Sequence, residues 1–144
     1  MATFSITTDI AAPAARVWGV MSDVERWHEW TPSIKRIRRF GQGPLGVGER
    51  AIVRQPKFPP ALWRVSDLQA GRAFTWISGA PGLRVIGRHS VEPAPSGSRA
   101  TLSVEYRGVL SGLFARMTRR VTEQYLAFEA AGLRQRSEND GYHV

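Results

Sequence analysis

The fold is decided by two neighbouring segments, Ala12-Pro13-Ala14-Ala15-Arg16-Val17-Trp18 and Asp23-Val24-Glu25-Arg26-Trp27-His28-Glu29-Trp30-Thr31-Pro32. In the first, Pro13 suits the opening of a helix, where its missing N–H costs nothing. The second predicts another short helix that ends before Pro32, because the residue before a proline is disfavoured in a helix. Such an insertion separates one edge strand from a long antiparallel sheet.

Strands are predicted on both sides of this insertion. Residues 4–10 alternate between apolar and polar side chains, which is typical of a half-buried strand. Further strands are predicted at residues 34–40, 49–55, 61–68, 72–78, 83–92 and 99–107. The stretch Pro56-Lys57-Phe58-Pro59-Pro60 is predicted to be a loop between two of them. The connections after Trp63 are short, as antiparallel hairpins require.

In the last segment the apolar residues recur every three or four positions instead of every second one, which predicts a long helix over about residues 110–134. The apolar face of this helix is expected to contain Leu110, Leu113, Phe114, Met117, Val121, Tyr125 and Phe128. A helix with such a stripe must lie across the concave face of the sheet. Residues 1–138 are predicted to form a single domain, followed by a tail at residues 139–144.

Composition limits the class of protein. The chain has 144 residues, 42% hydrophobic residues and five tryptophans, as expected of one globular domain. The absence of cysteine excludes disulfides and thiolate metal sites. Neither a signal peptide nor an apolar stretch of about 20 residues is recognisable in the sequence. We therefore expect a cytoplasmic protein without membrane insertion.

The net charge of +8 is carried mainly by arginine, since Lys35 and Lys57 are the only lysines. The basic residues are spread along the whole chain, and the densest group is residues 35–39. A nucleic-acid site would instead require clustered cations interleaved with aromatic residues. This pattern favours a solvated surface over a phosphate-binding patch, and no specific nucleic-acid partner is expected.

The order of strand, two short helices, six-stranded meander and long helix resembles the START-like helix-grip fold. More narrowly, the chain resembles the polyketide cyclase/dehydrase and lipid-transport group of the SRPBCC superfamily. The segments that carry this resemblance are Ala12-Pro13, Val17-Trp18, residues 22–27, residues 29–32, Trp63-Arg64-Val65, Phe74-Thr75-Trp76 and residues 89–93. It implies an α+β protein, in which a curved antiparallel sheet of about seven strands wraps around the C-terminal helix and leaves a cavity between them.

Strand alternation and helical spacing predict which side chains face that cavity. The residues expected to bind a ligand are Trp30, Trp63, Val65, Phe74, Trp76, Val85, Val104, Phe114, Met117, Val121 and Tyr125. The short helix with Trp27 and Trp30 is expected to frame the entrance. Apolar walls with a few polar groups are typical of a small-molecule site. The alternative is that the large apolar side chains only fill a core.

His89 and Tyr106 are the candidate catalytic residues. His89 is the only histidine predicted on an inward strand face, and imidazole is the usual acid or base near neutral pH. The alternative is a core histidine that is hydrogen-bonded to a tyrosine or a carbonyl. The three histidines have no spacing typical of a metal site, and no carboxylate pair is predicted on the inward faces.

Three functions are consistent with these patterns. The first is binding of a hydrophobic small molecule that contains a ring. The second, implied by the resemblance, is a polyketide cyclase or dehydrase without a cofactor. In that enzyme His89 would move protons, Tyr106 or Tyr125 would polarise a carbonyl, and Trp63 with Trp76 would hold the product. The third is an interaction module that uses the basic surface. The protein is expected to be a monomer or a homodimer.

Overall fold

The computed structural model describes residues 2–139 of the chain. The elements in this range are β1 Ala2–Ile10, α1 Ala14–Ser22, a 3₁₀ helix Val24–Glu29, β2 Arg36–Arg39, β3 Arg50–Gln55, β4 Phe58–Gln69, β5 Ala73–Ala80, β6 Leu83–Ala94, β7 Gly97–Arg107 and α2 Ser111–Asn139. Their order confirms the predicted strand, helical insertion, meander and long helix.

The strands form one antiparallel sheet in the order β1-β7-β6-β5-β4-β3-β2. β1 pairs with β7, with Phe4 opposite Val104, so the first and last strands are neighbours. The helical insertion carries the chain from β1 to β2 at the opposite edge of the sheet. Each remaining strand pairs with the next one along the chain. This arrangement, with α2 packed against the sheet, is the predicted helix-grip architecture.

The connection between β3 and β4 differs from the prediction. Gln55 pairs with Phe58, so only Pro56 and Lys57 form the turn, and Phe58, Pro59 and Pro60 belong to β4. The ladder shifts its register between Val53 and Gln55. Prolines are tolerated in a strand at its start or at such an irregularity, where a missing N–H breaks no regular bond. The predicted loop over residues 56–60 is therefore wrong.

The helical insertion closes one end of the molecule with an aromatic core. Val17 and Met21 are buried on α1, and Trp27 is buried on the 3₁₀ helix. The Trp27 indole donates a hydrogen bond of 3.0 Å to the Met21 carbonyl. Because this bond satisfies the polar atom of a buried indole, it fixes the 3₁₀ helix against α1.

α2 extends five residues beyond the predicted end and reaches Asn139. Arg134 and Glu138 form an ion pair of 3.2 Å one turn apart in this extension, a spacing that brings helix side chains together. Of the predicted tail at residues 139–144, Asn139 is the last residue of α2, and the others lie outside the described residues.

The face that α2 turns towards the sheet also differs from the prediction. In its first three turns the buried residues are Ser111, Ala115 and Thr122. Met117, predicted on the inner face, is 75% exposed, and Leu113 is 58% exposed. The hydroxyls of Tyr106 and Thr122 lie 2.8 Å apart and bond to one another. A polar inner face is tolerated here because the sheet supplies its hydrogen-bond partner.

Candidate functional site

A cavity of about 520 Å³ lies between strands β3–β7 and α2. The predicted residues that line it are Trp63, Trp76, Val85, His89, Val104, Tyr106, Phe114 and Tyr125. Strand residues dominate this group, because alternate side chains of a strand point to the same face of the sheet. The interior is therefore not completely filled by its own side chains.

Five residues predicted to bind a ligand are absent from the described cavity wall. They are Trp30, Val65, Phe74, Met117 and Val121. Val65 and Phe74 are each 1% exposed and belong to the core. Met117 is exposed because the side of α2 that faces the sheet is not the predicted one. Val121 is absent from the wall because the next residue, Thr122, is the one that faces inward. Trp30 packs instead against α2 near Gly132.

The sequence prediction missed two residues of the cavity wall that affect the chemistry of the cavity, Trp27 and Glu129. The prediction places Trp27 at the entrance, but the residue is buried between α1 and the sheet. Glu129 lies four residues after Tyr125 and seven after Thr122, so all three share one face of α2. This spacing could have placed Glu129 on the inward face of α2, but the sequence prediction places no carboxyl there.

His89 lies inside an aromatic cluster. Its ring stacks on Phe74 with centroids 4.4 Å apart and planes 13° apart. The centroid of Trp27 is 5.1 Å away, and that of Trp76 is 5.9 Å away in an edge arrangement. Burial among these rings lowers the pKa of His89 to about 4, and a hydrogen bond to the Phe74 backbone only partly opposes this shift. His89 is therefore neutral at pH 7.

Gly87 provides the space in which this cluster meets the cavity. A Cβ at this position would lie 3.1 Å from two atoms of the Trp76 indole. Gly87 and His89 both line the cavity and lie two residues apart on β6. The missing side chain thus lets the Trp76 ring lie across the strand beside His89.

Glu129 is the acidic residue in the described cavity wall. Its Oε2 accepts a hydrogen bond of 2.9 Å from the Ser33 hydroxyl. Burial raises the pKa of Glu129 to about 7, and the bond from Ser33 offsets part of that rise. Ser33 lies 2.9 Å from the Thr31 hydroxyl, and both are buried. The segment after the 3₁₀ helix thus holds a carboxyl that exchanges its proton near neutral pH.

The two tyrosines of the cavity are hydrogen-bonded within the protein. The Tyr106 hydroxyl bonds to Thr122, and burial raises the pKa of Tyr106, so it stays protonated at pH 7. The Tyr125 hydroxyl accepts a hydrogen bond of 3.1 Å from the backbone N–H of Lys57. Tyr125 therefore ties α2 to the turn between β3 and β4.

Two residues of the cavity wall, Trp63 and His89, each have a buried ring nitrogen that lacks a partner among the described residues, Nε1 and Nδ1 respectively. Buried polar atoms are nearly always hydrogen-bonded, so both nitrogens are exceptions, and a bound molecule would supply the missing bond only after the ring turned its nitrogen towards the cavity. The Trp63 indole is a donor, and it lies beside Trp76 with ring centroids 5.5 Å apart. The wall thus offers flat apolar surface together with isolated polar atoms.

The described residues form no cluster of three or more His, Asp or Glu side chains suited to a metal ion. Within residues 2–139, neither α1 nor α2 is long and apolar enough to cross a bilayer.

Several solved structures share this fold. The Zhui aromatase/cyclase from Streptomyces sp. R1128 matches with a TM-score of 0.78 and 16% sequence identity, over 97% of this chain and 95% of its own. A protein from Thermus thermophilus matches with a TM-score of 0.75 and 16% identity, over 94% of this chain and 97% of its own. Ara h 8.0201 matches with a TM-score of 0.65 and 16% identity, over 92% and 97%. Identity this low establishes the fold alone.

No curated protein matches the sequence. The model of one family, described as polyketide cyclase / dehydrase and lipid transport, matches residues 1–138. That match covers every element of the sheet and nearly all of α2. The chain therefore belongs to the polyketide cyclase / dehydrase and lipid transport family.

Proposed function

We propose that the cavity binds a hydrophobic small molecule that contains an aromatic ring and carries at least one polar substituent. The observation that carries this proposal is the cavity of about 520 Å³, whose wall contains aromatic side chains, two of which, Trp63 and His89, have a buried nitrogen without a partner. Small-molecule sites typically measure about 300–1,000 Å³ and have mostly apolar walls with a few polar groups. The cavity between the sheet and α2 has both properties.

The wall suggests how such a molecule would be held. Trp63 and Trp76 offer ring faces on one side, and Phe114 on α2 lies in the opposite wall. The Trp63 indole N–H would donate to a ligand oxygen, and Nδ1 of the neutral His89 would accept from a ligand hydroxyl. Each bond would satisfy an atom that is otherwise buried without a partner. A phenol or a hydroxylated polycyclic compound has this chemistry.

The comparisons support this class of ligand without identifying a compound. The family description names both cyclisation and lipid transport, and a structure of the same fold is titled an aromatase/cyclase. Both activities require a protein to enclose a largely apolar molecule. The aromatic side chains in the cavity wall favour a ring-containing ligand over a purely aliphatic one.

Binding can be tested with 2-naphthol by isothermal titration calorimetry. Val104→Trp places a bulky side chain in the cavity wall and is expected to weaken binding at least tenfold. Val47→Trp is the matched control, because Val47 is 65% exposed and lies outside the described cavity wall. Circular dichroism checks that both variants fold. Equal affinity of the two folded variants, or no binding by the unmodified protein, would contradict the proposal.

A second candidate function, an enzyme acting in the same cavity, is favoured by one observation. Glu129 has a pKa of about 7 and lines the cavity together with His89. A group with a pKa near the working pH is suited to accept and return a proton. Such a protein would fold a poly-β-ketone chain, close a ring by aldol addition and expel water. Conversion of a synthetic poly-β-ketone by the protein, lost in Glu129→Gln, would distinguish this enzyme from a carrier.

A further inference from the structure

Only one of the two carboxyl oxygens of Glu129 is engaged within the described part of the protein. Oε2 accepts the hydrogen bond of 2.9 Å from Ser33, and Oε1 has no hydrogen-bond partner among residues 2–139. Trp63 Nε1 and His89 Nδ1 are sealed from solvent without a partner, whereas Oε1 remains accessible. Because Glu129 belongs to the cavity wall, its free oxygen is available to a molecule inside the cavity.

This carboxyl has no cation beside it in the described range. Glu129 forms no ion pair within residues 2–139, and neither lysine nor arginine occurs among the described residues of the cavity wall. The chain nevertheless contains 20 basic residues, and Glu123 and Glu138 on the same helix each pair with an arginine one turn away. Buried charges in proteins are usually paired, so the inward carboxyl of α2 is an exception that a bound cation would remove.

The hydrogen bonds around Glu129 support its ionised form. Ser33 donates its hydroxyl hydrogen to Glu129, so the Thr31 hydroxyl, 2.9 Å from that of Ser33, must donate to Ser33. The Ser33 backbone N–H in turn donates to the Thr31 hydroxyl oxygen over 3.3 Å. Donors that point towards a carboxylate favour its charged form. Burial raises the pKa of Glu129 to about 7 in spite of these bonds, so the carboxyl is mostly ionised at pH 8.

The remaining wall suits an organic cation better than a bare metal ion. Aromatic side chains from the sheet and from α2, among them Trp63, Trp76 and Phe114, line the same cavity. The faces of such rings attract ammonium groups. His89 is neutral at pH 8, because burial lowers its pKa to about 4, and so it does not repel a cation. A metal ion would need several oxygen ligands, and the described residues provide no such cluster of acidic side chains.

We propose that the cavity selects ring compounds that carry a protonated amine, and that Glu129 binds the ammonium group through Oε1. This inference rests on the proposed binding of an aromatic molecule in the same cavity, and it specifies the polar substituent of that molecule. The ammonium group would supply the missing counter-ion and donate a hydrogen bond to Oε1, while the ring packs against the aromatic wall. The net charge of +8 repels cations from the protein as a whole, so a preference for an amine over a neutral analogue must arise locally.

Isothermal titration calorimetry at pH 8 with 2-(2-naphthyl)ethylamine and 2-(2-naphthyl)ethanol tests this assignment. The two compounds share the ring and the linker, and they differ in the charge of the terminal group. We expect the unmodified protein to bind the amine about tenfold more tightly than the alcohol, since hydrogen bonds between ionised groups are about twice as strong as neutral ones. Glu129→Gln keeps an acceptor for Ser33 and removes the charge, so the ratio of the two affinities should fall to about one.

Glu123→Gln is the matched control, because it removes an exposed carboxylate of the same helix that lies outside the described cavity wall. This variant should keep the ratio of the unmodified protein, and circular dichroism checks that both variants fold. Equal affinities of the unmodified protein for amine and alcohol would overturn the amine assignment, whatever the variants do. An unchanged ratio in Glu129→Gln, or an equal loss in both variants, would overturn it as well. In each of these cases binding of 2-naphthol would still uphold the proposed function, whereas binding of none of the three compounds would overturn both.

Discussion

Gly132→Ala is expected to lower the free energy of unfolding by about 3 kcal/mol, although alanine is normally the better helix former. A Cβ at Gly132 would overlap the Trp30 carbonyl oxygen and lie 2.9 Å from the Trp30 carbonyl carbon. These are backbone atoms that no side-chain rotation can clear, so α2 must move away from the segment that follows the 3₁₀ helix. The same segment carries Ser33 to Glu129, so the substitution should also disturb the cavity.

Gly112→Ala is the matched control in the same helix, because nothing lies within 4 Å of the position that its Cβ would take. It should raise the free energy of unfolding by up to about 1 kcal/mol through helix propensity alone. Urea unfolding followed by circular dichroism measures both variants. If both substitutions stabilise the protein equally, the close contact between α2 and Trp30 is not a feature of the folded state.

Removing either Glu129 or His89 should reveal a pH dependence of the free energy of unfolding. The pKa of Glu129 is raised from 4.5 to about 7, so folding binds a proton and stability is lost as pH rises from 4.5 to 7. The pKa of His89 is lowered from 6.5 to about 4, so stability is lost as pH falls from 6.5 to 4. Each change amounts to about 3 kcal/mol.

In the unmodified protein the two trends oppose one another between pH 4.5 and 6.5, so the net dependence on these groups should be small there. In Glu129→Gln only the shifted pKa of His89 remains, so the free energy of unfolding of this variant should fall towards low pH. In His89→Phe only the shifted pKa of Glu129 remains, so the free energy of unfolding of this variant should fall as pH rises to 7. Urea unfolding between pH 4 and 8 measures the slopes. Slopes of the same sign in the two variants would show that the pKa values of these groups are not shifted in opposite directions.

The sheet was predictable because strand geometry follows directly from sequence. A period of two sends alternate side chains to one face, and so Val85, Val104 and Tyr106 could be assigned to the interior before the structure was known. The three residues do line the cavity. The edges of strands were less predictable, as the prolines of β4 demonstrate, because register depends on the neighbouring strand.

The helix side of the cavity could not be predicted in the same way. Apolar periodicity assumes that the buried face is the apolar one, but α2 buries Ser111 and Thr122 and exposes Met117. Tertiary hydrogen bonds to Tyr106 and Ser33 make the polar inner face stable. Those partners are distant in sequence, so neither Thr122 nor Glu129 could be recognised as inward from the helix alone.

Titration of the protein with 2-naphthol and with naphthalene shows whether the aromatic cavity receives a ring compound through a polar contact. The two compounds differ by one hydroxyl, so the difference in affinity reports its hydrogen bond. We predict that 2-naphthol binds about fivefold more tightly, as expected for a net contribution near 1 kcal/mol. This advantage should disappear in His89→Phe, whose ring keeps the apolar contacts. Equal affinities for the two compounds in the unmodified protein would show that the cavity makes no polar contact with the ligand.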